Sequence, residues 1–250
     1  MADAEARQRL DVVLVERGLA PTRARARDQI LRGCVRVAGR PAAKPGLLVA
    51  ADAAIDVDDP LSGYVSRAAM KLIAGLDTFS LSPQGLACLD IGASTGGFTQ
   101  VLLERGARHV TAIDVGHGQL VPAIATDPRV TSKEGLNARA LAATDLTEPP
   151  QMLVSDVSFI SLTLALPPAL ALAAPGALGL FLVKPQFEVG RALIGKGGLV
   201  RDAEAGAEAA RRIADWLDGR DGWQVLGLAP CPLPGEDGNR EFLLAARKAG

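Results

Sequence analysis

One part of the sequence is best suited to bind a ligand. It is a short apolar run that ends in a carboxylate and a glycine-rich turn. Residues 86–98 read Leu-Ala-Cys-Leu-Asp-Ile-Gly-Ala-Ser-Thr-Gly-Gly-Phe. The pattern predicts a buried strand, a turn, and a helix over residues 98–104. In an open parallel sheet such a turn lies at the carboxyl end of a strand, where ligands bind. Gly92 permits the turn, and Gly96 and Gly97 are expected to let a ligand approach the main chain.

The spacing in this turn favours one kind of ligand. A dinucleotide fingerprint reads G-x-G-x-x-G and binds a pyrophosphate, whereas this turn reads G-x-x-x-G-G after Asp90. A carboxylate at that position repels a pyrophosphate and suits an ammonium group. An acid about twenty residues further on can accept hydrogen bonds from ribose hydroxyls, and Asp114 stands after a predicted strand at residues 109–113. Adenosine joined to a cationic amino acid is S-adenosylmethionine, which we expect as cofactor. A glycine-rich loop of another α/β protein is the alternative.

Four charged residues far apart in the sequence are expected at the same crevice: Lys71, Asp156, Lys184 and Glu241. Asp156 and Lys184 directly follow predicted buried strands. Lys71 lies on a helix that Ser66 caps, and Glu241 lies near the start of a strand over residues 240–246. Two cations and two anions can share a partly buried site without a large net charge. Alternatively, Asp156 caps a helix and Lys71 only solvates the surface.

Composition indicates a soluble globular protein. The 250 residues are 48% hydrophobic and 22% charged, and the length suits one α/β domain with a small appendage. The three cysteines form no C-x-x-C pair, which argues against a disulfide framework or a metal site and favours a reducing cytoplasm. Residues 159–183 carry no charge, but prolines interrupt them. We therefore expect a buried helix, a turn and a strand there, and no membrane partner.

The N-terminal segment is strongly basic although the net charge of the whole chain is −1. Between Arg7 and Lys44, ten basic residues face three acids, a local balance of +7. Arginines concentrated on one helix form a surface that binds phosphates, although such a run can also simply solvate a helix. We predict a small domain at residues 7–59, a linker at 60–65 and a larger domain at 66–250. The expected RNA-binding residues are Arg9, Arg23, Arg25, Arg27, Arg32, Arg36 and Arg67.

These patterns together resemble a known family. The N-terminal segment resembles the S4-like RNA-binding domain in the order of its motifs, which are Arg-Leu-Asp, Thr-Arg-x-x-Ala, Ile and Gly-x-Val-x-Val-x-Gly. It has Ala38 where that family usually has asparagine. The whole chain resembles the TlyA (hemolysin A) family of ribosomal RNA methyltransferases, whose catalytic domain is FtsJ-like. Ala68 and Ala69 stand where this family commonly has two glycines. The landmarks are residues 64–72, 89–98, 155–161, 184–188 and 195–198.

The resemblance implies a Rossmann-like α/β methyltransferase domain, with a mostly parallel sheet between helices, after a small α+β S4-like domain. It implies a cytoplasmic enzyme that methylates the ribose 2′-hydroxyl of a cytidine in ribosomal RNA of the ribosomal subunits. Lys184 would accept the hydroxyl proton, Asp156 and Lys71 would position the reacting groups, and Glu241 would complete the network. The cofactor-binding residues would be Asp90, Gly92, Ala93, Ser94, Thr95, Gly96, Gly97, Phe98, Asp114, Glu134 and Asp156.

Three other functions compete with this interpretation. They are a non-catalytic RNA-binding or ribosome assembly factor, a membrane-active hemolysin, and a methyltransferase that modifies the base rather than the ribose. The candidate catalytic residues argue against the first, and the proline-interrupted apolar stretch argues against the second.

Overall fold

The computed structural model describes residues 7–220, 222–235 and 237–250. The chain divides into two compact units, Met1–Ser62 and Gly63–Gly250. The division falls inside the segment predicted as a linker, residues 60–65.

The first unit is built on two helices, α1 (Leu10–Glu16) and α2 (Arg23–Leu31), with Leu10, Leu14 and Ile30 fully buried in its core. The Thr22 side chain accepts a hydrogen bond from the Arg25 N–H, as expected of an N-cap. The strands are β1 (Gln8–Arg9), β2 (Val35–Val37), β3 (Arg40–Pro41), β4 (Leu48–Val49) and β5 (Ile55–Val57). Strand β2 pairs antiparallel with β3 and β5, and β1 pairs antiparallel with β4. The two-residue strands are too short to leave a sequence pattern.

The second unit is an α/β layer structure. Its strands are β6 (Ala87–Ile91), β7 (His109–Asp114), β8 (Val130–Glu134), β9 (Met152–Ser155), β10 (Leu178–Val183), β11 (Trp223–Pro230) and β12 (Phe242–Lys248). Its helices are α3 (Ala68–Thr78), α4 (Gly97–Glu104), α5 (Pro122–Ala125), α6 (Leu162–Ala165), α7 (Pro167–Leu172), α8 (Pro185–Glu188) and α9 (Ala203–Asp218). Hydrophobic clusters cover both faces of the sheet, which is why β10 is apolar throughout.

The order of the strands determines where a ligand can bind. In the described part of the chain the sheet runs β11-β12-β10-β9-β6-β7-β8. Strands β6 to β10 are parallel, and β12 is antiparallel to both of its neighbours. The chain order reverses between β6 and β9, and the carboxyl ends of strands at such a reversal form the ligand crevice of an open α/β sheet.

Three local expectations need correction. Residues before β10 form two short helices, α6 and α7, rather than one, because Pro167 begins a new helix at its first position. After β7 the apolar pattern predicts a helix near residues 118–125, but the helix formed is limited to α5, since Gly118 has a φ of +64°. Glu241 lies just before β12, where its carbonyl accepts a hydrogen bond from the Cys231 N–H.

Phe159, expected in a buried helix, is 91% exposed. In the described part of the chain, no helix is both long and apolar enough to cross a membrane.

Candidate active site

The glycine turn between β6 and α4 depends on close packing within the protein. A Cβ atom at Gly96, whose φ is +100°, would lie 2.8 Å from side-chain atoms of Leu120 and Ile124. One at Gly97 would lie 2.7 Å from Ser66 Oγ. The protein's own side chains fill the space on the Cβ side of both glycines, which corrects the expectation that their missing side chains make room for a ligand. Contact of a ligand with the backbone N–H groups of this turn remains a prediction. Glycine is required there by conformation and packing.

Asp90, at the end of β6, is a buried carboxylate with one unsatisfied oxygen. Its Oδ2 accepts a hydrogen bond from Thr99 Oγ1 at 2.7 Å, while its Oδ1 has no partner among the described residues. Burial, and then the charges of Asp156 and Asp114, raise the pKa of Asp90 to about 7, although the hydrogen bonds from Thr99 lower it. A buried anionic oxygen without a donor fits a cationic group.

Asp90 is expected to make the stability of the second unit depend on pH. Its pKa in the folded protein, about 7, lies above its ordinary value of 3.8. The folded state therefore holds a proton that the unfolded state loses, and stability falls as the pH rises from about 4 to about 7. In Asp90→Asn the melting temperature should decline less over this range. Other acids with raised pKa values, such as Glu188 and Glu241, account for the pH dependence of the melting temperature that remains. If the melting temperature of Asp90→Asn fell with pH as steeply as that of the wild type, Asp90 would not be the group responsible.

The acids at the ends of β7 and β8 organise neighbouring backbone. Asp114 accepts hydrogen bonds from the N–H groups of Ser94 and Gly116, both at 2.8 Å. Glu134 accepts from the N–H groups of Gly118 and Gln119 at 2.7 and 3.1 Å. The hydrogen bond from the Gly118 N–H lowers the pKa of Glu134. Each carboxylate oxygen retains a further lone pair, so contact with a ribose or an adenine remains a prediction.

The four charged residues predicted from the sequence form two ion pairs. Lys71 on α3 donates to Glu241 Oε2 at 2.6 Å, with 9% and 2% of the two side chains exposed. Lys184 Nζ lies 2.7 Å from Asp156 Oδ1. Burial raises the pKa of Glu241, whereas the charges of Lys71 and Lys184 lower it and that of Asp156 raises it. Val183 of β10 pairs with Phe242 of the antiparallel strand β12. Lys184, which follows Val183, and Glu241, which precedes Phe242, are therefore neighbours, and so are the two ion pairs.

Two polar residues that were not among the predicted site residues complete these contacts. Ser158 Oγ accepts a hydrogen bond from Lys184 Nζ at 2.8 Å, and the Asp156 carbonyl accepts a weaker one at 3.3 Å. The contact of Lys184 with Asp156 Oδ1 is an ion pair without the alignment of a hydrogen bond. Thr99, on α4, is the partner of Asp90. Ser158 belongs to a motif quoted above, but its spacing from Lys184 carries no sequence signal.

The arginines of the first unit divide into two groups. Arg27 and Arg36 are exposed, and Arg9 and Arg23 remain about half exposed although both contact the buried Asp11. The Arg25 and Arg32 side chains are only 18% exposed and contact the buried Asp59. These two arginines, expected on an RNA-binding face, therefore serve the fold, because a buried carboxylate needs opposite charges. Arg67 directly precedes α3, in the second unit.

The described residues contain no group of three or more His, Cys, Asp or Glu side chains that could hold a metal ion.

The parallel sheet, its glycine turn and the lysine–carboxylate pairs define a Rossmann-like methyltransferase. Residues 64–248 match the FtsJ-like methyltransferase family, and residues 8–55 match the S4 domain. The chain belongs to the FtsJ-like methyltransferases and carries an N-terminal S4 domain. Both resemblances inferred from the motifs, and the fold class, are confirmed.

The relatives are similar over nearly the whole chain. The chain is 44% identical over 242 residues to the 16S/23S rRNA (cytidine-2′-O)-methyltransferase TlyA of Mycobacterium tuberculosis, covering 96% of this chain and 90% of that protein. It is 38% identical over 240 residues to Hemolysin A of Brachyspira hyodysenteriae, covering 94% and 98%. A solved structure described as a hemolysin from Streptococcus thermophilus has a TM-score of 0.76 and 38% identity, covering 98% and 90%.

Proposed function

We propose that this protein is an S-adenosylmethionine-dependent methyltransferase that acts on the ribose 2′-hydroxyl of a cytidine in ribosomal RNA. The observation that carries the proposal is the pair of lysine–carboxylate contacts, Lys71–Glu241 and Lys184–Asp156. The Asp156 N–H donates to the Ile91 carbonyl at the end of β6, directly before the glycine turn. The similarity to the TlyA relative, named for this reaction, supports it. A ribosomal substrate places the enzyme in the cytoplasm.

The residues at the turn suit S-adenosylmethionine. The negative charges of Asp156 and Asp114 act on Asp90 and raise its pKa, and an anionic site of this kind complements the ammonium and sulfonium groups of the cofactor. The unsatisfied Asp90 Oδ1 is an acceptor for a positively charged donor. The main chain from Gly92 to Phe98, together with Asp114 and Glu134, would hold the rest of the molecule. When bound, the cofactor supplies an electrophilic methyl group.

The lysines then act on the hydroxyl. Lys184, once neutral, accepts the hydroxyl proton as the ribose oxygen attacks, since a hydroxyl is a poor nucleophile until its proton is accepted. Asp156 and Ser158 hold Nζ in place at 2.7 and 2.8 Å. An ammonium group has no lone pair with which to accept, so only the neutral amine of Lys184 can take the hydroxyl proton, and its own extra proton must first leave to solvent. The Lys71–Glu241 pair, with its 2.6 Å contact, would help to position the reacting groups.

The S4 domain would dock the RNA. Arg9, Arg23, Arg27 and Arg36 retain exposed surface for phosphate contacts, which are salt-dependent and independent of sequence. Docking through one unit raises the local concentration of the target nucleotide at the other. A target within a stem must also be turned out of the helix before it can react.

The proposal is tested by incubating separated small and large ribosomal subunits with the protein and methyl-labelled cofactor. We expect label in ribosomal RNA, and nuclease digestion should recover it as a 2′-O-methylated cytidine. Label on a base would assign the protein to base methylation. Binding without transfer would favour an assembly factor. Leakage of liposomes treated with the pure protein would favour the activity named in its hemolysin relatives.

A further inference from the structure

Two short segments follow Asp156 and Lys184, and apart from Ser158 the proposed mechanism uses none of their residues. Residues 157–161 after β9 have no regular structure until α6 begins at Leu162. The helix α8, which follows Lys184, is only four residues long. Neither segment has an extended ladder of backbone hydrogen bonds that would hold it against the other. The 2.7 Å contact between Lys184 and Asp156 therefore needs other support.

Side chains link the two segments directly. Glu188, the last residue of α8, accepts a hydrogen bond from Ser161 Oγ at 2.6 Å through Oε2. Its Oε1 accepts another from the Leu162 N–H at 2.9 Å. The rings of Phe159 and Phe187 lie 5.2 Å apart between centroids. Each segment therefore begins with one member of the Lys184–Asp156 pair and ends at this carboxylate anchor.

The anchor lies in a protected position. Glu188 accepts one hydrogen bond on each of its two carboxylate oxygens. Burial raises the pKa of Glu188, while Ser161, the Leu162 N–H and the charge of Arg212 on α9 lower it. Without the carboxylate, the Ser161 hydroxyl and the Leu162 N–H would each lose a hydrogen-bond partner. This loss favours movement of residues 157–161.

We infer that Glu188 is a positioning residue that anchors the segment after β9 to α8 and thereby holds Asp156 and Ser158 against Lys184. This inference rests on the proposed function, because it assigns Glu188 a role in the same proton-accepting site. Glu188 acts through its neighbours, and no contact between Glu188 and substrate is part of the inference.

The test compares Glu188→Ala with Glu188→Gln in single-turnover methyl transfer to ribosomal RNA. The alanine variant should lower kcat about 10- to 100-fold, the cost of a small misplacement of reacting groups, with little change in the KM for cofactor. Glutamine can still accept from the Leu162 N–H and donate to Ser161, so it should recover most of the rate. Hydrogen exchange across residues 157–163 should rise in the alanine variant alone.

Asp218→Ala is the matched control. It removes a carboxylate that accepts a 2.7 Å hydrogen bond from the Val225 N–H, outside the site, and should lower the melting temperature without changing kcat. If Glu188→Ala does not fold, Ser161→Ala removes one of the two contacts and should show a smaller loss of kcat. The inference would be overturned if Glu188→Ala or Ser161→Ala showed the same kcat and the same hydrogen exchange as the wild type. An inactive wild-type enzyme would instead overturn the proposed function.

Discussion

Replacing Lys184 with alanine is expected to lower kcat for methyl transfer by about 10²–10⁴-fold, the usual contribution of a positioned proton acceptor. The substitution removes the amine that lies 2.7 Å from Asp156 and 2.8 Å from Ser158. Cofactor and RNA should still bind, because the glycine turn and the arginines of the S4 domain are unchanged. Single-turnover transfer and separate binding titrations measure the two effects.

Lys184→Arg separates proton acceptance from simple charge. Arginine keeps the positive charge beside Asp156 but remains protonated in proteins, so it should be nearly as inactive as alanine. A melting temperature close to that of the wild type would show that the fold is intact. Substantial activity in Lys184→Arg would mean that a fixed cation suffices, and normal turnover in Lys184→Ala would remove Lys184 from the mechanism.

Asp59→Ala is expected to destabilise the S4 domain by about 3–5 kcal/mol, the usual cost of removing one partner from a buried ion pair. Asp59 is 5% exposed and accepts hydrogen bonds from both Arg32 terminal nitrogens, at 2.8 and 3.0 Å. It also accepts from Gln29 and the Leu61 N–H. Burial alone would raise the pKa of Asp59, but these donors lower it to about 2.

The sign of the pH effect follows from that lowered pKa. The stabilisation by Asp59 is present above its ordinary value of 3.8 and is lost as the pH falls toward 2. Chemical denaturation near neutral pH should show an early transition in Asp59→Ala, with RNA binding lost and cofactor binding kept. The exposed neighbour Asp58 supplies the control, since Asp58→Ala should unfold like the wild type. Equal stability of the two variants would contradict this role of Asp59.

Much of the fold was predictable from local pattern. Three features each depend on residues only a few positions apart. They are the N-cap at Thr22, the alternation of apolar and polar residues in β2, and the wholly apolar strand β10. The strand, glycine turn and helix around Asp90 were predicted for the same reason. The expectations that needed correction depended on more distant groups. Gly96 and Gly97 are packed against side chains from other elements, and Arg25 and Arg32 are held by Asp59.

The residue types that could do the chemistry can be read directly from the chain. They are the two lysines and two acids, the carboxylate before a glycine turn, and the basic helix. Their partners became visible only in the folded protein. Lys71 pairs with Glu241, 170 residues away, and Glu188 meets Ser161 because β9 and β10 are neighbouring parallel strands. Periodicity and capping act within a few residues and are therefore visible in the sequence. Pairing depends on the order of the strands and on the insertion of β12 between β10 and β11, which no local pattern encodes.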